Sequence, residues 1–497
     1  MNLGRMLNTF SSQIIYVLLG IGCLPAYAAG GTVASCRDFY DQVQRVIWQA
    51  DVYDAQSMTV KGYPYLNSNR FLASFRNEIR DDAQFTFWLA QLRRLEQEAR
   101  RVEWVNLSKD DHASLDRLRI RLLPDSLNTL AALADCADRM SFDDRTRRDA
   151  VLRSAAAPAS YSFLKRIVGL YPFTAVPFSS GIRKHEAQVS ATFALSLSDV
   201  IDVSKVVKYS TPETVIGELD VATILNGASD NPLRIPDPDP QQLKQLFAYF
   251  APVFALETKG DFDRPGHPAW QASGAAGIDT GTHVVHTLVS HTRFAGQNLL
   301  QLNYVIWFSE RPKKSKFDML GGALDSLIWR VTLASDGQPL AYDTIHGCGC
   351  YHYFFPGDRL RAKPRHASLQ EHAYTPQAAP RLAPGERVVV WLESATHYVV
   401  RLTGATPTSE SAAILYTLAD YNELRALVKP DGTTRSLFRP DGLIHGSERG
   451  ERFLFWPMGI ASAGAMRQWG HHATAFVGMR HFDDADLLER AFELVER

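Results

Sequence analysis

Between about Ser35 and Ala155 the apolar residues recur every third or fourth position: Phe39, Val43, Val46 and Ile47; Phe71, Phe75 and Ile79; Phe85, Trp88, Leu89, Leu92 and Leu95; Leu127, Leu130 and Leu133. That period places each set on one face of a helix, and intervening charge such as RRLEQEARR reads as a solvated face. The pattern predicts a helical domain over 29–155. From Ala155 to Gly181, Pro158, Pro172 and Pro177 stand among Tyr161, Phe163, Tyr171, Phe173 and Phe178, which predicts a helix-breaking connection over 156–185 packed on a domain surface.

Beyond it the period shortens. Val189 to Leu197 is β-like, and Asp239-Pro240 is an N-cap and first position for a helix carrying Leu243, Leu246, Phe247 and Phe250. Thr282–Phe294, Gln297–Phe308, Ala323–Ala334, Pro339–Phe355, Arg387–Leu392 and His397–Leu402 are β-branched and aromatic runs with no room for crossover helices between most pairs. The expected fold class is α+β: a helical domain, then a largely antiparallel β-domain over 186–408, a sandwich or curved sheet, then a mixed α/β segment over 409–497 packed on it. In the last segment helices are expected at 410–427 and after Asp483.

Asp336-Gly337 reads as a two-residue hairpin turn. Counting outward pairs Trp329 with Thr344, Leu327 with His346 and Asp325 with Cys348. It also puts His346, Cys348 and Cys350 on the apolar face with Trp329, and Arg330, Thr332 and Asp343 on the opposite, more polar one.

Composition narrows the functional classes. The 497 residues carry a net charge of −1, which gives no electrostatic reason to expect nucleic acid or a strongly anionic bilayer as the main partner. Arg5, the apolar run Ile14–Leu24 and Ala26-Tyr27-Ala28 have the form of a secretory signal over 1–28 cleaved near Ala28, too short for a transmembrane span, with lipidation at Cys23 the lesser alternative. A periplasmic or secreted protein is expected, and in that setting Cys36 and Cys136 are expected to form a disulfide.

The candidate chemistry lies in Ala341–Pro356, AYDTIHGCGCYHYFFP, where His346, Cys348, Cys350 and His352 alternate. Side chains two apart in a strand emerge about 6.7 Å from one another, so only neighbours can share an ion, and further ligands must come from His283, His286 and His291 or from His471, His472 and His481. One reading is a metal site for zinc, copper or iron, with Asp325 as base or supporting carboxylate. A second is a thiol/disulfide or Cys-nucleophile enzyme using Cys348 and Cys350, with Asp325 orienting a histidine. A third is a non-catalytic envelope binding or scaffolding protein. Arg311–Lys316 and Arg359, Arg361, Lys363 and Arg365 read first as solvated loops, with one cationic rim for an anionic small molecule or envelope component as the alternative, and Asp261 and Asp263 are expected to serve a turn network.

Overall fold

A computed structural model describes residues 32–144, 147–212, 219–364, 370–406 and 412–495. The expected signal segment, Cys23 and Arg365 lie outside them.

The helical region contains α1 (Val33–Gln49), α2 (Asp82–Asn106), α3 (Lys109–Leu122) and α4 (Thr129–Asp144). Side-chain caps start them: Thr32 accepts from Ser35 N, Asp81 from Gln84 N, and Ser108 exchanges bonds with Asp111. Phe39, Val43 and Ile47 of α1 pack against Trp88 and Leu92 of α2 in one core. The expected Cys36–Cys136 bond is present, with its Cα atoms 5.2 Å apart, and closes a loop of 100 residues. Phe71 and Phe75 belong to a short helix, Arg70–Ala73, and a following 3-10 turn. The solvated face expected on α2 is partly interior: Arg100 lies buried between Glu96 at 3.1 Å and Glu103 at 3.0 Å.

The proline-rich connection forms two helices, α5 (Phe163–Val168) and α6 (Tyr171–Ala194). Pro172 falls in the first turn of α6, where no backbone N–H is needed, and Pro177 lies on its exposed side. The expected strand at Val189–Leu197 is instead the end of α6, because Val189 and Phe193, four apart, both enter the core. The expected α7 (Pro240–Tyr249) is present, with Asp239 and Gln242 forming a capping box.

The strands are β1 (Val206–Ser210), β2 (Val253–Glu257), β3 (Pro265–Trp270), β4 (Val284–Phe294), β5 (Gln297–Arg311), β6 (Gly322–Leu333), β7 (Pro339–His346), β8 (Tyr353–Pro356), β9 (Arg387–Leu392), β10 (Val399–Ala405) and β11 (Thr417–Asp420). The larger sheet is an antiparallel meander from β4 to β8, with β3 beside the far end of β5 and β11 running parallel to β4. The smaller sheet orders β10-β9-β2-β1, with β9 and β2 parallel. Pairing with β4 draws Thr417–Asp420 into a strand where a helix was expected, and a 3-10 turn at Tyr421–Arg425 follows.

The two sheets face each other, Phe254, Val390 and Leu402 of one packing with Leu302, Leu327 and Trp329 of the other. The far face of the larger sheet is covered by Tyr421, Leu424, Met466, Trp469 and Phe482 of the C-terminal segment, which pack on Ile328 and Ile345. Both faces of β6 and β7 are therefore interior, and Arg330, Thr332 and Asp343, expected on the more polar side, are buried too. The hairpin keeps the counted register from Ala341 to His346, but by a different route. Its turn has three residues, with Gly337 at φ +80° and Ala334 N bonded to Gln338 O; an irregularity between Pro339 and Ala341 restores the count. Among the described residues no helix is long and apolar enough to cross a membrane.

Candidate functional site

At the end of the sandwich where β5 and β7 finish and β6 begins, Asp325 lies fully buried. Its carboxylate accepts from His397 Nδ1 at 2.8 Å and Arg449 Nη2 at 3.1 Å, and His346 Nδ1 stands 3.5 Å away. Burial alone would raise its pKa, but Arg449 and the two histidines outweigh it and hold Asp325 well below the usual carboxylate range.

His397, in the turn between β9 and β10, stacks on Phe308 at 3.8 Å and presents Nε2 3.5 Å from Asp263 Oδ1. Burial disfavours its charge, yet Asp263 and Asp325 on either side raise its pKa above the ordinary value. Asp263 accepts from Ala395 N and Ser394 Oγ, each at 2.7 Å, so the turn network expected of it also fixes one end of a carboxylate–imidazole–carboxylate chain. His346 behaves oppositely: burial outweighs Asp325 and keeps it neutral, and neither ring nitrogen has a hydrogen-bond partner.

Around His346 stand Tyr351 and Tyr398, ring centres 5.1 and 5.4 Å away. Arg311 donates to Tyr398 Oη at 3.0 Å and lies over both tyrosine rings. It is only 6% exposed, no described carboxylate pairs with it, and its Nη1 has no partner. His185 of α6 closes the group, 3.2 Å from Tyr353 Oη. Leu324, Tyr351, Ala395 and His397 hold φ of +58°, +60°, +67° and +54°, conformations that side chains with a Cβ rarely adopt. Such strain persists where surrounding contacts impose it, and it concentrates at functional sites.

The cysteines lie in the same region but not on a continuing strand. β7 stops at His346, and a turn follows in which Gly349 N bonds His346 O at 2.7 Å and His346 N bonds Cys350 O at 3.0 Å. Gly349 needs its φ of +92°, and a Cβ there would meet Ala473 O at 2.5 Å. The alternation expected through His352 therefore ends, and Cys348 and Cys350 pack with Ile345 and Met466 instead of on the Trp329 face. Both are unbonded, buried thiols. The interaction between them lowers the pKa of Cys348 and raises that of Cys350; Arg449 further favours the Cys348 thiolate. Glu451 acts electrostatically on both thiols, and its own carboxyl is pushed up by burial against the pull of Arg449. Arg467 donates to Cys348 O at 2.9 Å and secures the turn.

The other expected ligands are elsewhere. His352 bonds Asp343 at 2.9 Å, His283 bonds Pro265 O at 3.0 Å, His291 bonds Pro236 O at 2.7 Å and His471 bonds Ala55 O at 2.7 Å. His286 stacks on His267, His472 lies among Trp469 and Phe482, and His481 stands beside Asp484. Among the described residues no group of three or more His, Cys, Asp or Glu side chains is arranged to hold a metal ion. The expected cationic rim is divided as well. Arg311 points inward, whereas Arg359 pairs with Asp336 in the hairpin turn at the other end of β7, and Arg361 and Lys363 pair with Glu493 and Glu489.

His185, His397, Tyr398, Arg449, Glu451 and Arg467 carried no spacing signal. They reach the centre from distant segments, as single residues in loops or helix faces. No family model, curated protein or solved structure matches this chain.

Proposed function

We propose that the protein is an exported thiol-active enzyme acting on an anionic substrate at the Asp325 centre. The observation that supports this reading above others is the pair of buried free thiols Cys348 and Cys350 in one turn, with Cys348 acidified beside Arg449 and a buried carboxyl, Glu451, within electrostatic reach of both. In exchange with a substrate disulfide, the Cys348 thiolate attacks one sulfur and the other leaves as a thiolate. Cys350 then passes its proton to Glu451 and attacks Cys348 Sγ, which releases the second substrate thiolate and leaves a Cys348–Cys350 bond. The substrate gains two electrons and the protein dithiol loses them. Arg311, buried with no described carboxylate paired to it and with Nη1 unpartnered, supplies the charge that would hold an acidic substrate group. Export is supported by the signal-like N-terminus and the Cys36–Cys136 disulfide.

The test is trapping by oxidised glutathione, with bound metals measured by mass spectrometry on the same preparation. Cys350→Ser should accumulate a mixed disulfide at Cys348, and the native chain should instead form the internal bond. No adduct in Cys350→Ser, or a stoichiometric metal that shields both thiols until chelation, would overturn the reading.

A further inference from the structure

On the outer side of the molecule, α5 and α6 form a helical hairpin whose exposed face is almost wholly apolar. Phe163 and Phe173 are 78% and 76% exposed, and Leu164, Val168 and Leu170 are exposed beside them. The large exposed apolar side chains fall at 163, 164, 167 and 168 on α5 and, beside Pro172 and Pro177, at 173 and 176 in the first two turns of α6. The stripe is not a loose flap. Ser162 N bonds Gly459 O at 2.8 Å, Arg166 Nε bonds Met458 O at 2.9 Å, and a Cβ on Gly169 would meet Pro457 at 2.6 Å. The segment beneath extends the apolar surface with Phe453, itself 71% exposed.

The charge around this face has one sign. Residues 161–184 and 452–470 contain Lys165, Arg166, Arg183, Lys184, Arg452 and Arg467 and no Asp or Glu. Of these, Lys165, Arg183, Lys184 and Arg452 are exposed. A balanced whole-chain charge thus conceals a locally cationic, apolar face. Soluble surfaces rarely keep so many large apolar side chains contiguous without a partner, and an apolar stripe interspersed with exposed lysine and arginine is complementary to an interface of acyl chains under anionic headgroups.

We propose that the α5–α6 face seats the protein on an anionic lipid bilayer, entering one leaflet without crossing it. Leu170, at the junction of the two helices with φ +49° and 62% exposed, enters the leaflet with Phe163 and Phe173, and the basic residues meet the headgroups. Because α6 runs on from this face to His185, docking fixes the Asp325 centre relative to the membrane surface.

Flotation of the purified chain with vesicles tests this. Phosphatidylcholine vesicles containing 30% phosphatidylglycerol should carry the protein at low salt; pure phosphatidylcholine vesicles should carry far less, and added salt should release it. The double variant Phe163→Ser/Phe173→Ser should lose at least about tenfold in partitioning while keeping the thermal midpoint and circular dichroism of the native chain. Lys165→Glu/Lys184→Glu should reduce binding to the phosphatidylglycerol vesicles alone. Absence of flotation on anionic vesicles, or flotation unchanged in the folded Phe variant, overturns the proposal. A concentration-dependent dimer abolished by the same Phe variant, without flotation, would assign the face to a second copy of the chain and overturns it equally.

Discussion

Two carboxylates, Asp343 and Asp325, lie fully buried on neighbouring strands of one sheet, each with an arginine and a histidine, yet they are finished to different degrees. Asp343 takes two bonds from Arg330, at 2.9 and 2.5 Å, and one from His352 at 2.9 Å; the remaining Arg330 nitrogen donates to Phe482 O at 2.6 Å. The guanidinium also lies 3.6 Å over the Phe482 ring, which ties the C-terminal segment to the sheet. Around Asp343 one described nitrogen, His352 Nδ1, is buried without a partner; around Asp325, equally well anchored, both nitrogens of His346, Nη1 of Arg311 and Nε of Arg449 are. A closed network specifies packing. One with several buried groups left open carries a cost that packing does not return, so the contrast separates a structural centre from a candidate working one.

The largest expected effect lies at the closed centre. Asp343→Asn leaves Arg330 buried without its counter-charge and should cost about 3–5 kcal/mol of stability, read from urea unfolding. A loss under 1 kcal/mol would erase the distinction.

An intermediate effect comes from pH, with opposite signs at the two sites. Burial pushes His352 down to about 4, so protonation favours the unfolded chain, where histidine titrates near 6.5. Its contribution is full above about pH 6.5 and falls as pH drops towards 4, by roughly 2 kcal/mol at pH 5. His397 is raised, so its contribution is full below about pH 6.5 and is lost as pH rises through the raised value. Urea midpoints from pH 5 to 8.5 should show His352→Gln flattening the acid limb and His397→Gln flattening the alkaline one. An unchanged alkaline limb in His397→Gln would mean that the Asp263–His397–Asp325 chain is not charged as described.

The smallest stability effect is expected at Arg311. Since no described carboxylate pairs with it, Arg311→Met should stay within about 1 kcal/mol of the native chain, or gain stability, while abolishing protection of the Cys348 thiolate by an acidic disulfide substrate. A loss comparable to that of Asp343→Asn would place Arg311 in the structural class.

Much of this contrast was foreshadowed along the chain. The helical stripes, the hairpin register and the Cys36–Cys136 pairing follow from local periodicity, turn chemistry and cysteine count; the disulfide is present, the register holds as far as His346 without reaching the counted Asp325–Cys348 pair, and the stripes are present except that Leu127 lies exposed before its helix begins at Thr129. The alternation of His346, Cys348, Cys350 and His352 marked the right neighbourhood but not its geometry, because Gly347 and Gly349 end the strand and send His352 to Asp343. Face assignment failed where a third layer covered the sheet: a two-layer rule makes Arg330 polar-side and exposed, whereas the C-terminal segment buries it. The β-branched residues near Val189 were misassigned because packing against a core overrides weak intrinsic preference. His397 and Arg449 were illegible, since only tertiary folding brings residues 72 and 124 positions away to Asp325.

The seal over the thiol turn has a consequence for how the chain must be made. Among Cys36, Cys136, Cys348 and Cys350, pairing each new thiol with the previous one as the chain emerges gives the native Cys36–Cys136 bond. The same rule applied to Cys348 and Cys350 would join them to each other, and the groups that set their reactivity, Arg449, Glu451 and Arg467, arrive only about a hundred residues later. The dithiol therefore passes through a nascent interval in which it is exposed and unassisted. A chain ending before Arg449 would leave that pair permanently in this immature state.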